Sequence, residues 1–277
     1  MKLKKSIVSG SVKIALLEDG YNSDLSLKAK NINTDNVLRA SLISREKGIL
    51  SGSLWFEESF KQIDKKAKIK WNVIEGEAFK KDNVIAEINA SSKSILSGER
   101  TALNFLQMMS GISTKTNKYS KLLKDSNIEL LDTRKTLPGL RYEQKYSTFV
   151  GGAKNHRFGL FDAIMLKDNH LKAFGGIKEI KNLKFIKRGD FLEIEIEKLS
   201  QIKLALKCKP DILLLDNLSL REIKKAISLI ENKCLIEVSG IKKPEDIKKY
   251  KDLPIHYISL GDLTKNIKSI DFSLNIL

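Results

Sequence analysis

From about residue 128 onward the chain repeats one pattern: a short apolar run, polar or charged residues at its end, and then a helical segment. Because the runs are nearly continuous in apolar residues, we expect strands that are buried on both faces. Strands that alternate with helices form parallel sheets with right-handed crossovers. The six predicted strands lie within residues 128–135, 162–170, 191–197, 211–217, 234–240 and 257–262.

The segments between the later strands have helical periodicity. Before one of them, Ser219 and Glu222 form a capping-box signature. Ile223, Ala226 and Ile230 then share one face of the predicted helix. This pattern predicts an amphipathic helix that packs one side against the sheet.

Nearly every predicted strand carries its polar residues at the carboxyl end, which favours a barrel whose mouth collects them. A doubly wound sheet stays open as an alternative, since its ligands also bind at carboxyl ends, but no GxGxxG motif follows the first strand. Six strands are visible rather than the eight of a full barrel. We therefore predict an α/β protein with an incomplete α/β barrel.

The first hundred residues show a different pattern. Short alternating runs at 37–53 and 69–90 predict an antiparallel sheet, and a short helix is expected near residues 11–18. Residues 98–112 predict a helix that ends at Gly111 and leads into the barrel. The predicted domains are an N-terminal α/β sandwich, residues 1–112 with the C-terminal tail 266–277, and the barrel, residues 113–265.

The formal net charge is +16, from 50 Lys and Arg against 34 Asp and Glu. This excess is compatible with binding of a nucleic acid, with attraction of a polyanionic small molecule, or with a solvated surface that binds neither. The lysines are scattered over amphipathic segments such as 219–233, without interleaved aromatic residues or a nucleic-acid motif. We favour a solvated surface and expect no nucleic-acid partner.

The two cysteines, Cys208 and Cys234, do not suggest a disulfide framework. The three histidines show no close spacing to them, which argues against a zinc site. No signal-peptide pattern and no apolar run of about 18 residues is visible. We therefore expect a cytoplasmic protein with no membrane partner.

The predicted strand ends bring many charged and small residues to one mouth. Charges at such a mouth are partly desolvated, and they persist only when they pair with one another, a metal or a charged ligand. A ligand site is therefore expected among Asp132, Arg134, Lys135, Lys167, Asp168, Glu193, Glu195, Glu197, Asp216, Ser239, Gly240, Ser259, Gly261 and Asp262.

The acidic part of this set includes the EIEIE run at 193–197. Alternating Glu and Ile fits either a half-exposed strand or a barrel strand whose glutamates face the interior. The barrel context favours the interior. Glu195 and Asp216, on successive strands, could then bind Mg²⁺ or hold ribose hydroxyls.

The cationic part combines Arg134 and Arg157 with Lys135 and Lys167. Guanidinium groups match carboxylates, whereas lysines act as point charges on phosphates, so we expect a ligand that carries both kinds of group. His156 precedes Arg157 in a Gly-flanked loop. A structural hydrogen bond and a direct ligand contact are equally open for this histidine.

The last two strands end in VSG (238–240) and SLGD (259–262). Glycine at such positions serves a tight turn. The loops after the final barrel strands also commonly form a phosphate cradle from backbone N–H groups. Both interpretations stay open on the residues alone.

The chain resembles the quinolinate phosphoribosyltransferase family, because it contains, in the family's order and spacing, EDGYNSDLS, ERTALNFLQMMSGI, LDTRKTLPGLR, GGAKNHRFGL, LKDNH, EIEIE, LLLDN, VSG and SLGDLT. The likeness covers nearly the whole chain. It implies a type II phosphoribosyltransferase with an N-terminal α/β sandwich and an incomplete α/β barrel. It also implies conversion of quinolinate and phosphoribosyl pyrophosphate, with Mg²⁺, to nicotinate mononucleotide, pyrophosphate and CO₂ in NAD synthesis.

By motif position, the resemblance implies that Arg134, His156 and Arg157 hold the pyridine dicarboxylate. Lys135 and Lys167 would face the dicarboxylate and the pyrophosphate. The catalytic residues implied are Lys135, Lys167, Glu195 and Asp216.

The resemblance also assigns the ribose, metal and phosphate contacts. Glu195 and Asp216 would lie on the ribose and metal side. Arg100 matches a residue that reaches into the neighbouring subunit's site, which implies a homodimer. The other substrate-binding residues implied are Thr133 and, around the 5′-phosphate, Ser239, Gly240, Ile241, Ser259, Leu260 and Gly261.

Three residues depart from the family pattern. Ile241 stands where the family usually has a second glycine, Asp262 where a small apolar residue is typical, and Lys265 where a histidine is common. We expect the phosphate loop to differ locally, with Asp262 directed away from the phosphate or paired with Lys265.

Other functions stay open at this point. A Schiff-base barrel aldolase would use Lys167 as its amine, but it leaves the arginine pair unexplained. A phosphoribosyltransferase-like protein associated with molybdate transport is a close relative; Asp132 and the KDNH and NHR strings argue against it. A non-enzymatic nucleic-acid binder would show salt-dependent affinity for nonspecific DNA.

Overall fold

The computed structural model describes residues 3–28, 34, 36–182 and 191–277. The chain forms two compact units. Among the residues described, no helix combines the length and the apolar character that a membrane span requires. The first unit comprises Met1–Asn117, Thr136–Gly152 and Leu263–Leu277, and the second comprises Lys118–Lys135 and Ala153–Asp262.

The order of helices and strands follows the predicted change from a sheet-rich first part to alternating strands and helices. The elements are α1 (Lys5–Asp19), β1 (Val37–Ser44), β2 (Gly48–Ile49), α2 (Ser53–Lys61), β3 (Lys68–Trp71), β4 (Ala78–Phe79), β5 (Val84–Ser91), α3 (Ser92–Leu122), β6 (Glu129–Leu131), α4 (Arg141–Val150), β7 (Ile164–Leu166), α5 (Asp168–Ala173), β8 (Leu192–Ile196), α6 (Ile202–Leu206), β9 (Ile212–Asp216), α7 (Leu220–Ile230), β10 (Leu235–Ser239), β11 (Tyr257–Ser259), α8 (Asp262–Lys265) and β12 (Phe272–Ile276), with 3-10 helices at Leu25–Lys28, Ile177–Asn182, Leu199–Gln201 and Pro244–Tyr250.

The first unit contains a four-stranded antiparallel sheet in the order β12-β1-β5-β3, so the predicted antiparallel sheet is confirmed. Ala40 of β1 lies opposite Ile88 of β5 and Ile276 of β12. Phe56 and Phe60 of α2 pack in the core against this sheet, with their ring centroids 5.1 Å apart. The tail of the chain therefore contributes the edge strand of the first unit.

The expected end of a helix at Gly111 is wrong. Helix α3 continues to Leu122, and Gly111 lies buried within it. A Cβ at this position would collide with the backbone carbonyl of Lys268 and lie 3.1 Å from Cα of Ser269. Gly111 is thus explained by the close approach of another backbone segment to the helix, not by a helix end.

The second unit contains a six-stranded sheet in the order β6-β11-β10-β9-β8-β7, and every pair is parallel. All six predicted strands are confirmed. Successive strands from β7 to β11 are neighbours, and β6 pairs with β11. This cyclic order, interrupted between β6 and β7, is that of a barrel that is not closed, and it excludes the doubly wound alternative.

Helix α7 shows why the connecting segments fold as predicted. The Ser219 hydroxyl accepts a hydrogen bond from the Glu222 backbone N–H (3.3 Å), and the Glu222 carboxylate accepts one from the Ser219 N–H (2.9 Å). Ile223, Ala226 and Ile230 are fully buried. The predicted capping box and apolar face are confirmed.

Candidate active site

A cavity of about 220 Å³ lies at the carboxyl ends of the second unit's strands. Charged and polar side chains dominate its lining, which fits a small anionic ligand better than an apolar one. The lining residues are Thr133, Arg134, Lys135, His156, Arg157, Met165, Lys167, Asp168, Glu195, Leu214, Asp216, Glu237, Ser239 and Ser259.

Most of the site residues assigned from the sequence therefore line one cavity, although they come from segments up to 126 residues apart. Gly240 and Ile241 follow Ser239 directly, and Leu260 and Gly261 follow Ser259, but these four residues are not part of the lining. Arg100 belongs to the first unit, where it is exposed on α3.

Two guanidinium groups share this cavity. Burial lowers the pKa of Arg157, and the positive charge of Arg134 lowers it further, whereas Glu193 and Asp162 act in the opposite direction. The Nη1 atom of Arg157 donates a hydrogen bond to the carbonyl oxygen of Ala163 (3.2 Å), which orients the guanidinium. Because like charges repel, an anion between the two groups would stabilise both.

A lysine and two carboxylates form another part of the lining. Nζ of Lys167 lies 3.7 Å from Oε2 of Glu195. Burial raises the pKa of Glu195, Lys167 opposes this shift, and the charge of Asp216 adds to it. Two carboxylates that line one small cavity suit a divalent cation that also keeps some of its waters. The donor set therefore fits Mg²⁺.

The backbone of Lys167 is held in place by a histidine side chain. Its N–H donates to Nδ1 of His170 (3.1 Å), at the point where β7 ends and α5 begins. His170, for which the sequence indicated no role, thus holds the backbone at the start of α5. The neighbouring Asp168 also lines the cavity but pairs with Lys172 at 3.0 Å.

Two buried glutamates lie close to the ring of His156. Nε2 of His156 lies 3.2 Å from Oε2 of Glu193 and 3.5 Å from Oε2 of Glu237. Burial by itself lowers the pKa of His156, whereas the hydrogen bonds and charges of these glutamates raise it. Burial also raises the pKa of Glu193, and the hydrogen bond from His156 opposes this shift.

The same three side chains could be taken for a metal site, because their ligand atoms lie within 4.8 Å of one another. However, Nδ1 of His156 accepts a hydrogen bond from the Arg157 backbone N–H (2.7 Å). An imidazole whose Nδ1 accepts carries its proton on Nε2, and a protonated nitrogen does not coordinate a metal. The cluster therefore holds a proton between the ring and the carboxylates.

The burial of Glu193 and Glu195 decides between the two interpretations of the EIEIE run. All five residues of β8 are buried, and both glutamates are no more than 8% exposed. The half-exposed strand is therefore wrong, and the glutamates face the barrel interior.

The segments assigned to a phosphate show two close backbone approaches. Gly240 has a φ of 78°, and a side chain there would collide with Asn217. A Cβ at Gly261 would lie 2.8 Å from Cδ of Lys135. Asp262 begins α8, and burial together with the charges of Glu245 and Asp262 raises the pKa of Tyr119 to about 12. The negative charge of Asp262 thus disfavours ionisation of the Tyr119 hydroxyl.

Sequence reasoning missed Glu237, Met165 and Leu214 as lining residues. Glu237 is fully buried in β10, two residues before Ser239. Since alternate residues of a strand share a face, the spacing to Ser239 was a signal that Glu237 faces the same cavity. A single acidic residue inside an apolar run is a second signal, because it needs a partner.

The chain matches two family models along nearly its whole length. Residues 24–110 match "Quinolinate phosphoribosyl transferase, N-terminal domain", and residues 112–275 match "Quinolinate phosphoribosyl transferase, C-terminal domain". A curated relative, the "Probable nicotinate-nucleotide pyrophosphorylase [carboxylating]" of Bacillus subtilis (strain 168), is 35% identical over 262 residues, which cover 94% of this chain and 90% of that protein.

Solved structures are similar as well. NadC from Streptococcus pyogenes superimposes with a TM-score of 0.92 and 37% identity, covering 100% of this chain and 99% of that one. The nicotinate-nucleotide pyrophosphorylase from Francisella tularensis gives a TM-score of 0.92 at 38% identity, covering 100% and 98%.

Proposed function

Because the chain belongs to the quinolinate phosphoribosyltransferase family, we propose that it transfers a phosphoribosyl group from phosphoribosyl pyrophosphate to quinolinate, with loss of CO₂. The products are nicotinate mononucleotide, pyrophosphate and CO₂, in NAD biosynthesis. The observation that carries this proposal is one cavity that combines Arg134, Arg157 and Lys167 with the carboxylates Glu195 and Asp216.

The cations bind the acceptor in this proposal. Arg134 and Arg157 hold the two carboxylates of quinolinate, since guanidinium groups pair with carboxylates in bidentate geometry. His156 lies against Arg157 and completes this part of the site. Lys167 and Lys135 face the acceptor and the pyrophosphate as point charges.

The acidic residues act on the sugar. As the C1′–O bond to pyrophosphate breaks, the ribose gains oxocarbenium character, and Glu195 and Asp216 face that positive charge. Mg²⁺ held by the same two carboxylates, directly or through water, would neutralise the departing pyrophosphate. The ring nitrogen of quinolinate then bonds to C1′.

Decarboxylation follows on the pyridinium product. The bond between ring carbon 2 and its carboxylate breaks, CO₂ leaves, and the electron pair remains on that carbon until a proton replaces the carboxylate. The adjacent positive nitrogen stabilises this pair. The protein therefore contributes mainly position and charge neutralisation to this step.

The 5′-phosphate is assigned to the ends of the last two strands. Ser239 and Ser259 line the cavity, and Gly240 and Gly261 keep their backbones open to close approach. Thr133, Ile241 and Leu260 complete the contacts in this proposal. A branched Ile241 in place of a second glycine gives this phosphate loop its own local shape.

The proposal includes a homodimer in the cytoplasm. By family resemblance, Arg100 reaches the neighbouring subunit's site, and its exposed position on α3 supports this role. A guanidinium from a partner would add a further cation to a cavity that binds two polyanions.

The test is turnover by the purified protein. Quinolinate and phosphoribosyl pyrophosphate are mixed with the protein, and the loss of quinolinate absorbance is followed with and without Mg²⁺. We expect loss only when both substrates and Mg²⁺ are present, with one CO₂ released per quinolinate. A protein that folds and leaves quinolinate unchanged under these conditions would refute the proposed function.

A further inference from the structure

Glu193 and Glu237 have no role in the chemistry described above, although Glu237 lines the cavity and the charge of Glu193 acts on Arg157. They project from β8 and β10, the strands on either side of β9. Both side chains are fully buried. A buried carboxylate is costly unless it is paired, so these two residues need an explanation.

Their common partner is His156. Its Nε2 lies within 3.5 Å of one carboxylate oxygen from each glutamate. Both oxygens of Glu237 lack a well-aligned hydrogen bond. The glutamates thus contribute little to the fold through other hydrogen bonds, and the ring proton is what they share.

The opposite side of the ring is occupied by Arg157. Nδ1 accepts the Arg157 backbone N–H at 2.7 Å, which requires an unprotonated Nδ1. If the neutral ring carried its proton on Nδ1 instead, two donors would face each other there. Two acceptors at Nε2 select against that tautomer.

The segment that carries Arg157 has a second fixed point. The Asp132 carboxylate accepts the His156 backbone N–H (2.9 Å) and the Asn155 side-chain amide (2.7 Å). Asp132 therefore fixes the backbone before the ring, and the ring fixes the backbone after it. Between them they determine where the Arg157 side chain begins.

We propose that Glu193 and Glu237 are positioning residues for the acceptor site: they keep the proton on Nε2 of His156, so that Nδ1 holds the Arg157 backbone and Arg157 faces the cavity. This inference rests on the proposed function in one respect, namely that the anion bound by Arg157 is a carboxylate of quinolinate.

The kinetic test compares Glu237→Met with Glu237→Gln. Met fills the space without an acceptor, whereas the amide oxygen of Gln still accepts from Nε2. We expect Met to raise the KM for quinolinate at least about tenfold and to change kcat and the KM for phosphoribosyl pyrophosphate less than about threefold, because only acceptor binding loses its alignment. Gln should restore most of the wild-type KM. Glu87→Met, at a half-buried strand glutamate of the first unit that pairs with Arg39, is the matched control.

A second measurement does not depend on turnover or on the stability of a variant. The chain has only three histidines, so ¹⁵N spectra of their rings are simple to assign. At a pH at which all three rings are neutral, His156 in the wild-type protein should carry its proton on Nε2.

The outcomes separate the two proposals. A proton on Nδ1, or an unchanged KM for quinolinate in a folded Glu237→Met variant of an active enzyme, overturns the positioning role alone. A wild-type protein that does not turn over quinolinate refutes the proposed function, while the ring spectra still test the arrangement of His156.

Discussion

Arg134 and Arg157 share one small cavity, and their mutual repulsion is a cost that the fold retains. Burial and the charge of Arg134 both lower the pKa of Arg157, which is how this repulsion is expressed. Like charges held together in this way are typical of binding sites, where an anionic ligand can bind between them.

Removing one guanidinium should therefore affect catalysis and not folding. We predict that Arg134→Ala lowers kcat/KM for quinolinate at least about 100-fold, since loss of a charge-assisted partner costs roughly 3 kcal/mol. Steady-state kinetics measure this effect, and thermal unfolding should show a near-native midpoint. Arg221→Ala, exposed on α7, is the control. Full activity of the Arg134 variant would remove the dicarboxylate role from this residue.

The sequence predicted the charged residues of the cavity better than their pairing. Arg134 and Lys167 each follow an apolar run, and such positions can be assigned to a barrel mouth. The pairing of His156 with Glu237 could not be predicted. His156 lies in the loop between α4 and β7, whereas Glu237 lies in β10, and only the three-dimensional order of the strands brings the two residues together.

Among the elements, the parallel strands were the most predictable, since continuous apolar runs leave few alternatives. Helix α3 shows the opposite case. Gly111 was taken as a helix end because glycine is common there, but the helix passes through it and a backbone segment packs on its surface. A tertiary contact of this kind leaves no periodic signal in the sequence.

Two helical glycines provide a matched test of this explanation. Gly111→Ala should destabilise the protein by about 1–3 kcal/mol, because the new methyl group meets the backbone of Lys268 and Ser269. Gly10→Ala in α1 has open space around it and should stabilise by about 0.5–1 kcal/mol through helix propensity. Denaturant titrations decide the matter: equal effects at the two positions would contradict the packing role of Gly111.

At the scale of the whole molecule, we propose that each subunit of a dimer contributes its Arg100 to the other subunit's site. Arg100→Ala and Lys167→Ala should each be nearly inactive as homodimers. After the two are mixed and allowed to exchange subunits, half of the dimers would contain one intact site, so activity should return to about a quarter of the wild-type value. Mixtures that stay as inactive as their components, despite mass measurements that show exchange, would contradict a shared site.

In the proposed function, cations that converge on one cavity recognise a dicarboxylate. The most direct measurement is the rate at which the purified protein, with phosphoribosyl pyrophosphate and Mg²⁺, consumes quinolinate or nicotinate, which lacks the second carboxylate. The account predicts rapid use of quinolinate with release of CO₂, and use of nicotinate at least about 100-fold slower, as expected when a buried cation is left unpaired. Equal rates with the two acceptors, or no reaction with quinolinate, would contradict it.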